Sequence, residues 1–207
     1  DWLPENERNI ERIIFEKTSS LLESIIIVAK QSSREITESI KKNISKNKAN
    51  KYFFNEDYNF VMKENDFFYY EDKYGGLKIP KPSMKGQFQL ENASTAIASL
   101  RVLENLNIKD QHIINGVKKA YNSARLEEIK SGKLKNLVRD NTLIVDSSHN
   151  PGGSKSLNEY LQTLNCNKHV IIGMMENKDH EKFISYFKDI SSLTVIDIPN
   201  QVNAISG

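Results

Sequence analysis

The sequence predicts an α/β protein made of two units, and two patterns carry this prediction. From residue 143 onward, short β-branched runs alternate with amphipathic stretches in the order strand–helix–strand–helix–strand, which is typical of a parallel, doubly wound sheet. Before residue 122, helical periodicities surround an aromatic, partly alternating segment at 51–80. We therefore place a boundary near residue 122 and expect domains 1–121 and 122–207.

Spacing of the apolar residues predicts the elements of the first unit. Ile36, Ile40 and Ile44 recur every four residues behind a serine cap, which indicates an amphipathic helix. The helix that contains Ala93–Ala98 has no charge between Glu91 and Arg101, so we expect it to be buried on most sides. The predicted elements are helix 7–22, buried strand 24–30, helix 32–46, antiparallel hairpins over 51–80, and helices 86–108 and 109–121.

The second unit repeats short strands and helices. Residues 132–148 predict a hairpin that leads into a buried strand. The elements that follow are helix 151–165, strand 169–174, helix 178–188 and strand 193–198. This unit has fewer residues than is typical of its class, which indicates a part of a larger protein.

Composition excludes several classes of function. The net charge is +2, which gives no electrostatic case for nucleic acid or an anionic membrane as a partner. No apolar run reaches the roughly 20 residues that a membrane span needs. Cys166 is the only cysteine, so an intramolecular disulfide and a cysteine-based zinc cluster are excluded. The N-terminal sequence DWLPENERN is not a signal peptide, and we expect a reduced, cytoplasmic protein.

The stretch LIVDSSHNPGGSKSLNEYL, residues 143–161, is the strongest local indication of a site. Asp146, His149 and Asn150 follow a strand, and Pro151 suits the first position of a helix that Asn150 caps. In open parallel sheets the crevice at the carboxyl ends of strands binds ligands, and a helix N-terminus attracts anions. Asp146 could hold a metal-bound water, a ribose hydroxyl or a substrate ammonium, and His149 could donate to a phosphate oxygen. The structural alternative is a turn aspartate beside an ordinary Asn-Pro helix start.

Several motifs in register resemble the folylpolyglutamate synthase and dihydrofolate synthase family of the Mur ligase superfamily. The stretch at 146–151 is similar to the family motif Asp-x-x-His-Asn-Pro. Four further segments resemble family motifs in the same order along the chain. They are DWLPENERNIERIIFEKTSS at 1–20, GQFQLENASTAIASL at 86–100, ARLEEI at 124–129 and GMMENKDH at 173–180.

The resemblance implies a fold and a reaction. The implied fold is the C-terminal part of a P-loop ATPase-like ligase domain, residues 1–121, followed by a small Rossmann-like parallel-sheet domain, residues 122–207. The implied reaction is ATP-dependent ligation of L-glutamate to a folate or dihydropteroate carboxylate through an acyl phosphate, a step of folate and one-carbon metabolism. Its cofactors are ATP and Mg²⁺.

Site residues are carried over position by position. Asn92 matches a helix asparagine that contacts ATP, and Arg125 matches a linker arginine that reaches the ATP phosphates. Asp146 and His149 match residues that close on ATP and the incoming glutamate. Lys17 matches a lysine that is carbamylated and then helps to hold magnesium, which prefers anionic oxygen ligands. Read without the resemblance, Lys17, Asn92 and Arg125 are ordinary helix or linker residues.

The chain also departs from the family pattern. It contains no glycine-rich phosphate loop, and the family's serine, glutamate and histidine ligands of magnesium would lie before Asp1. Ala124 replaces a glycine, Asn177 replaces an aspartate, and EKTSS replaces Glu-Lys-Ala-Gly. We therefore expect no ligase activity from these residues alone, and we expect a complementary N-terminal chain as a partner. The alternatives are a noncatalytic nucleotide-binding or interaction remnant and part of a Mur-type peptidoglycan ligase. Residues 122–207 are expected to be the more self-contained piece.

Overall fold

The computed structural model describes residues 9–21, 24–63, 66–103 and 105–207, which form two compact units. The N-terminal unit contains residues 9–83 and Phe88–Ala120, and the C-terminal unit contains Tyr121–Gly207 and Met84–Gln87. The assignment of 1–121 to an ATPase domain and of 122–207 to a Rossmann-like domain stays a prediction.

The N-terminal unit alternates helices and strands before and after a small antiparallel sheet. Its elements are α1 (Ile10–Thr18), β1 (Ile26–Val28), α2 (Arg34–Ile44), β2 (Lys51–Phe53), β3 (Tyr58–Met62), β4 (Phe67–Asp72), β5 (Gly75–Pro80), α3 (Phe88–Arg101) and α4 (Asp110–Lys119). The predicted helices are present and are shorter than expected. Residues 7, 8 and 22 of the first predicted helix lie outside the described residues.

Strands β1 and β2 form a parallel pair, with Ile26 opposite Lys51 and Val28 opposite Phe53. The expectation that 51–80 is entirely antiparallel is therefore wrong for β2. A parallel pair needs a crossover connection, and the intervening helix α2 supplies it. Ile26, Val28, Ile44 and Phe53 are buried together and hold this β–α–β unit.

Strands β3, β4 and β5 form the predicted antiparallel sheet. Its inner face packs against α3 and α4 in the largest buried cluster of the described residues, which includes Phe68, Tyr70, Ile79 and Ile97. Phe68 and Tyr70 alternate along β4, as period-2 burial requires. The hydroxyl of Tyr58 donates to the carbonyl of Val28 at 3.0 Å, which ties β3 to β1.

Helix α3 is exposed only along one stripe, which is formed by Asn92, Ala96 and Leu100. Its other residues are buried or half-buried, so the expectation of burial on most sides is confirmed. The uncharged middle of this helix consists mainly of small residues, which can lie either in the core or in solvent. At its end, Arg101 Nε lies 2.9 Å from Asp72 Oδ2 in a largely buried ion pair that joins α3 to β4.

The C-terminal unit contains short strands and helices in alternation. Its elements are β6 (Glu127–Ile129), α5 (Lys133–Val138), β7 (Leu143–Val145), α6 (Pro151–Gln162), β8 (His169–Ile172), α7 (His180–Ser185) and β9 (Ser192–Val195). Strands β6 and β7 pair antiparallel, and β8 and β9 pair parallel. This mixed arrangement has the predicted α/β class.

Three details of the predicted second unit are corrected. Helix α5 lies between β6 and β7, where the sequence indicated only a hairpin. Strand β7 is half-buried rather than buried. Within the described ranges β7 pairs with β6 and not with β8, so the three-stranded parallel sheet is replaced by two pairs. A short local motif cannot specify which distant strand it pairs with, and the sequence prediction failed at that step.

The core of the C-terminal unit is small. Ile172, Met174 and Phe183 are buried together, with β8 and α7 as the main contributors. Ser154 of α6 is fully buried, and its hydroxyl donates to the carbonyl of Phe183. In neither unit does a described helix have the length and apolar character to cross a bilayer.

Candidate functional site

The turn between β7 and α6 has the predicted helix start. Helix α6 begins at Pro151, and Asn150 is its N-cap, with the Asn150 side-chain oxygen accepting from the Gly153 amide at 2.9 Å. Proline lacks the amide hydrogen that would be unsatisfied at this position in any case. The start of the helix is therefore fixed by the Asn150 cap and by Pro151.

Asp146 connects this turn to the linker that precedes β6. Its Oδ1 accepts from the Ser148 amide at 2.8 Å, and its Oδ2 accepts from the Leu126 amide at 2.9 Å. The first contact is the turn contact of the structural alternative. The second spans 20 residues and is not a turn contact. Charge-assisted bonds of this kind are about twice as strong as neutral ones, so Asp146 holds the linker against β7.

The linker has an unusual backbone on both sides of Arg125. Ala124 has φ +52° and Leu126 has φ +50°, in the left-handed region that non-glycine residues seldom adopt. The Ala124 carbonyl accepts from the Ser147 amide at 2.8 Å, and the Leu126 side chain is buried at 1% exposure. Arg125 itself is exposed. The backbone on either side of Arg125 is thus anchored to the end of β7, and its guanidinium remains open to solvent.

Glu127 also holds the linker, through the residues that precede Arg125. Its carboxylate accepts from the Tyr121 hydroxyl at 2.5 Å and from the Ala124 amide at 2.8 Å. The Tyr121 hydroxyl first, and the Ala124 amide second, hold the pKa of Glu127 below its ordinary value. Sequence reasoning missed this residue, although it is the acidic position of the ARLEEI motif.

His149 is exposed in the turn, and its Nδ1 lies 3.0 Å from the Ser147 carbonyl oxygen. A carbonyl oxygen can only accept, so this contact places a proton on Nδ1. The other ring nitrogen, Nε2, is then the one available to an incoming group. It accepts when the ring is neutral and donates when the ring is cationic.

Arg125, Asp146 and His149 therefore belong to one locality of the C-terminal unit. The backbone bonds of residues 124–126 to residues 146–147 define that locality. Their roles in binding or catalysis remain predictions. The other two predicted site residues, Lys17 and Asn92, lie in the N-terminal unit.

Lys17 is in the last turn of α1 and is exposed. Carbamylation requires a neutral amine, and burial is the usual means of obtaining one, so the exposure of Lys17 does not provide it. Asn92 of α3 is also exposed, and its Nδ2 donates to the buried Gln89 side chain at 3.1 Å. The Asn92 amide nitrogen makes that contact, and the amide oxygen is the group suited to accept from a ligand donor.

Among the described residues, no group of three or more His, Cys, Asp and Glu side chains could hold a metal ion. Lys17, even if carbamylated, would supply one oxygen-bearing ligand to a magnesium ion that usually takes six. The described residues therefore do not form a magnesium site by themselves.

Comparison with known proteins yields structural matches only. No protein-family model and no curated protein matches the chain. Mycobacterium tuberculosis folylpolyglutamate synthase complexed with ADP is similar at 16% identity and a TM-score of 0.78. E. coli FolC in complex with DHPP and ADP is similar at 21% identity and a TM-score of 0.79. A bifunctional folylpolyglutamate synthase/dihydrofolate synthase with Mn, AMPPNP and L-glutamate bound is similar at 21% identity and a TM-score of 0.79.

These matches cover 99–100% of this chain, but the chain spans only 46–47% of each of those proteins. The matched portion is the C-terminal part of those structures. The motifs at 86–100, 124–129 and 146–151 lead to the same conclusion from the sequence. The chain therefore has the fold of the C-terminal part of the folylpolyglutamate synthases.

Proposed function

We propose that the chain forms part of an ATP-dependent ligase that joins L-glutamate to a folate or dihydropteroate carboxylate. In this proposal its C-terminal unit closes on the bound ATP. ATP transfers its terminal phosphoryl group to that carboxylate. The glutamate amine then attacks the acyl phosphate, and an amide, ADP, inorganic phosphate and a proton result. The fold supports this proposal, and so do the ADP, DHPP, AMPPNP and L-glutamate bound by the structural neighbours.

The anchoring of the linker to the end of β7 is the observation that carries the proposal. A guanidinium reaches phosphate oxygens productively only if its backbone is held in place. Asp146 and the Ser147 amide hold residues 124–126 on both sides of Arg125, while the Arg125 side chain stays exposed. Arginine suits phosphate because it offers paired donors and stays charged.

His149 and Asp146 take different roles in this proposal. His149 donates from Nε2 to a phosphate oxygen when it is cationic, while its Nδ1 stays bonded to the Ser147 carbonyl. Asp146 acts chiefly through Arg125, because each of its oxygens already accepts a backbone amide. It is therefore a positioning residue first, and its remaining lone pairs face any ligand that enters the turn.

Lys17 and Asn92 complete the proposed set. Asn92 would accept from or donate to the nucleotide. Lys17, once carbamylated, would hold magnesium through one oxygen ligand, and the ion would neutralise phosphate charge there. The remaining metal ligands and the phosphate loop would come from a complementary N-terminal half. With that half absent, we expect no amide synthesis.

The test compares Arg125→Ala with Arg139→Ala in the pair formed by this chain and the complementary half. Arg139 is an exposed arginine of the same unit, so both variants lose one positive charge. Loss of a charged hydrogen bond costs about 1.5–3 kcal/mol, so ATP affinity by calorimetry should fall roughly 10- to 150-fold for Arg125→Ala only. Arg125→Lys should recover part of it.

Amide synthesis is measured on the same proteins as ADP release that requires both glutamate and dihydropteroate. Turnover by the assembled pair, and none by the chain alone, supports the ligase. ATP binding without turnover in the assembled pair contradicts it and favours the noncatalytic remnant. Equal ATP affinities for Arg125→Ala and Arg139→Ala would show that Arg125 does not bind ATP.

A further inference from the structure

Helix α5 and the residues on either side of it form an exposed segment, residues 130–139, that the proposed ligase site does not use. Among the described helices, α5 is the one that buries no residue. Leu134 is 66% exposed and Leu137 is 77% exposed. Helices of globular proteins normally turn their apolar residues toward the core, so the exposure of two leucines in one short helix requires an explanation.

The exposed side of α5 combines leucine and lysine. Lys135 and Val138 are half-buried, so the side of the helix that they occupy faces the body of the unit. Leu137 lies three residues after Leu134 and four residues after Lys133, and residues at these spacings are neighbours on the surface of a helix. These three exposed side chains therefore form one patch that is both apolar and basic.

The segment concentrates positive charge. Residues 130–139 include Lys130, Lys133, Lys135 and Arg139 and contain no acidic residue. Lys133 and Arg139 are exposed, and neither makes an ion pair with another described residue. The net charge of +2 is a sum over the whole chain, which the acidic residues elsewhere lower, so it does not show this local cluster. Clusters of this size along an amphipathic helix are typical of segments that bind anionic lipid headgroups.

Both ends of α5 have a defined conformation. Gly132, which precedes the helix, has φ +103°, and Arg139, which follows it, has φ +50°. The Lys135 ammonium donates to the carbonyls of Arg139 and Asn141 at 2.6 and 2.7 Å, which satisfies acceptors at the end of the helix. The leucines are thus presented on a helix that is already formed, and docking does not incur the cost of ordering the segment.

We propose that residues 130–139 dock the C-terminal unit on an anionic lipid surface, with α5 lying in the plane of the interface. Leu134 and Leu137 enter the boundary between the headgroups and the acyl chains. The exposed cations, which include Lys133 and Arg139, pair with the lipid phosphates. Two leucines and a few cations give weak, reversible binding, so the chain exchanges between the surface and solution.

A lipid surface fits this segment better than a protein partner does. Helix α5 has six residues and is about 9 Å long. A stable protein interface buries about 800 Å² on each partner, which two leucines on so short a helix do not provide. A bilayer interface accepts apolar side chains that protrude singly, and its negative charge complements the cations of the segment.

The test measures partition of the full chain onto lipid vesicles by flotation. One set of vesicles contains phosphatidylcholine alone, and the other contains phosphatidylcholine with about 30% phosphatidylglycerol, which supplies the negative surface charge. We expect half-maximal binding to the anionic vesicles at roughly 0.1–1 mM lipid. The partition coefficient should be at least about tenfold lower on phosphatidylcholine alone, and it should fall as the salt concentration rises.

The apolar contribution is tested with Leu134→Ser/Leu137→Ser. This variant should lower the partition coefficient on anionic vesicles at least about tenfold, because each leucine loses the gain from leaving water. Leu106→Ser/Val202→Ser is the matched control, since Leu106 is 48% exposed and Val202 is 98% exposed outside the segment. It should leave the partition coefficient unchanged. Thermal unfolding followed by circular dichroism should give the same midpoint for both variants, because all four side chains are exposed.

The charge contribution is tested separately with Lys133→Glu/Arg139→Glu. Reversal of two cations should lower the partition coefficient on anionic vesicles at least about tenfold and should leave the weak binding to phosphatidylcholine unchanged. Lys46→Glu/Lys48→Glu is the matched control, because both lysines are exposed and lie in the N-terminal unit. It changes the net charge of the chain by the same amount.

Three outcomes overturn the proposal. Equal partition onto the two kinds of vesicle removes anionic lipid as the partner. An equal loss of binding in a variant and its matched control shows that residues 130–139 are not the docking segment. No vesicle binding, together with a dimer that light scattering detects and that Leu134→Ser/Leu137→Ser dissociates, assigns the patch to a second copy of the chain. The assay contains neither ATP nor folate, so its result does not depend on the proposed ligase reaction.

Discussion

At the scale of single residues, the linker shows how a site is held by groups that do not touch a ligand. Asp146 accepts from the amide of Leu126, which follows Arg125, and Glu127 accepts from the amide of Ala124, which precedes it. Ala124 and Leu126 both have positive φ, which costs an L-residue roughly 1–2 kcal/mol. Strain of this kind persists only where surrounding bonds over-determine the conformation, and here two carboxylates do so.

Replacement of Ala124 by glycine should stabilise the C-terminal unit. Glycine adopts φ +52° without a Cβ clash, and the relief of roughly 1–2 kcal/mol of strain exceeds its larger entropy loss on folding, about 0.5–1 kcal/mol. Thermal unfolding followed by circular dichroism should show a higher midpoint. Ala120→Gly is the control, because Ala120 has φ −56° and should lose stability. A lower midpoint for Ala124→Gly would contradict the strain.

Removal of the Tyr121 hydroxyl should raise the pKa of Glu127. The hydroxyl is the main cause of the lowered pKa, so Tyr121→Phe should move the titration midpoint upward, as read from the Glu127 carboxyl carbon by NMR. A lowered folded-state pKa stabilises above the unfolded value, near 4.3, and this contribution disappears as the pH falls through the folded value. Tyr186→Phe, whose hydroxyl does not bond Glu127, should leave the midpoint unchanged.

At the scale of elements, local pattern predicts most helices and strands, with α5 as an exception, but it does not predict which strands pair. The serine cap of α2 and the Asn-Pro start of α6 are both present as the sequence predicts. Pairing is where prediction failed: β2 joined β1 instead of the aromatic hairpins, and β7 joined β6. Three-residue strands carry too little alternation to specify a partner, so crossover length and packing decide it.

Two adjacent glycines in α6 should respond oppositely to alanine. A Cβ at Gly153 would lie 2.8 Å from Ser148 Oγ and 2.9 Å from Ser148 Cβ, so Ser148 and the Asp146 turn must shift. A Cβ at Gly152 meets only Asn150 Oδ1 at 3.5 Å, an ordinary contact. Gly152→Ala should therefore stabilise by up to about 1 kcal/mol through helix propensity, while Gly153→Ala destabilises by about 1–3 kcal/mol.

Urea titrations of the two glycine variants measure these changes directly. The pair is matched because both substitutions add one methyl group to the first turn of the same helix. Equal stabilisation of both would show that Gly153 does not pack against Ser148.

At the scale of the whole molecule, stability is divided between separate cores. The largest described cluster lies in the N-terminal unit and includes Phe68 and Ile79, both 0% exposed. The cluster of the C-terminal unit is smaller and centres on Ile172 and Phe183. The expectation that 122–207 is the more self-contained piece stays a prediction, and the larger buried cluster of the N-terminal unit counts against it.

Separate cores should give separate responses to core truncation. Phe183→Leu should raise the rate of amide exchange in α6, α7 and β8. Phe68→Leu should raise it in β3–β5. Each increase should be roughly fivefold, which corresponds to about 1 kcal/mol. Exchange read by mass spectrometry on peptides of each unit checks this. Equal acceleration in both units by either variant would show that the chain unfolds as one cooperative body.

The sequence alone determined the class of the fold and the locality of the candidate site. Helical and strand periodicities are local properties, and the motif from Asp146 to Pro151 specifies a turn and a cap by its own side chains. Family motifs in register indicated the fold, which the structural matches confirm.

Only the tertiary structure decided how the linker is held and which apolar residues stay exposed. The bond from Leu126 to Asp146 joins residues 20 apart, and the exposure of Leu134 and Leu137 depends on what packs against α5. The sequence also did not reveal the exposure of Lys17 and Asn92, because both occupy positions that look alike on a buried or an open helix face. Contacts between distant segments depend on the packing of the whole chain, and no local pattern encodes that packing.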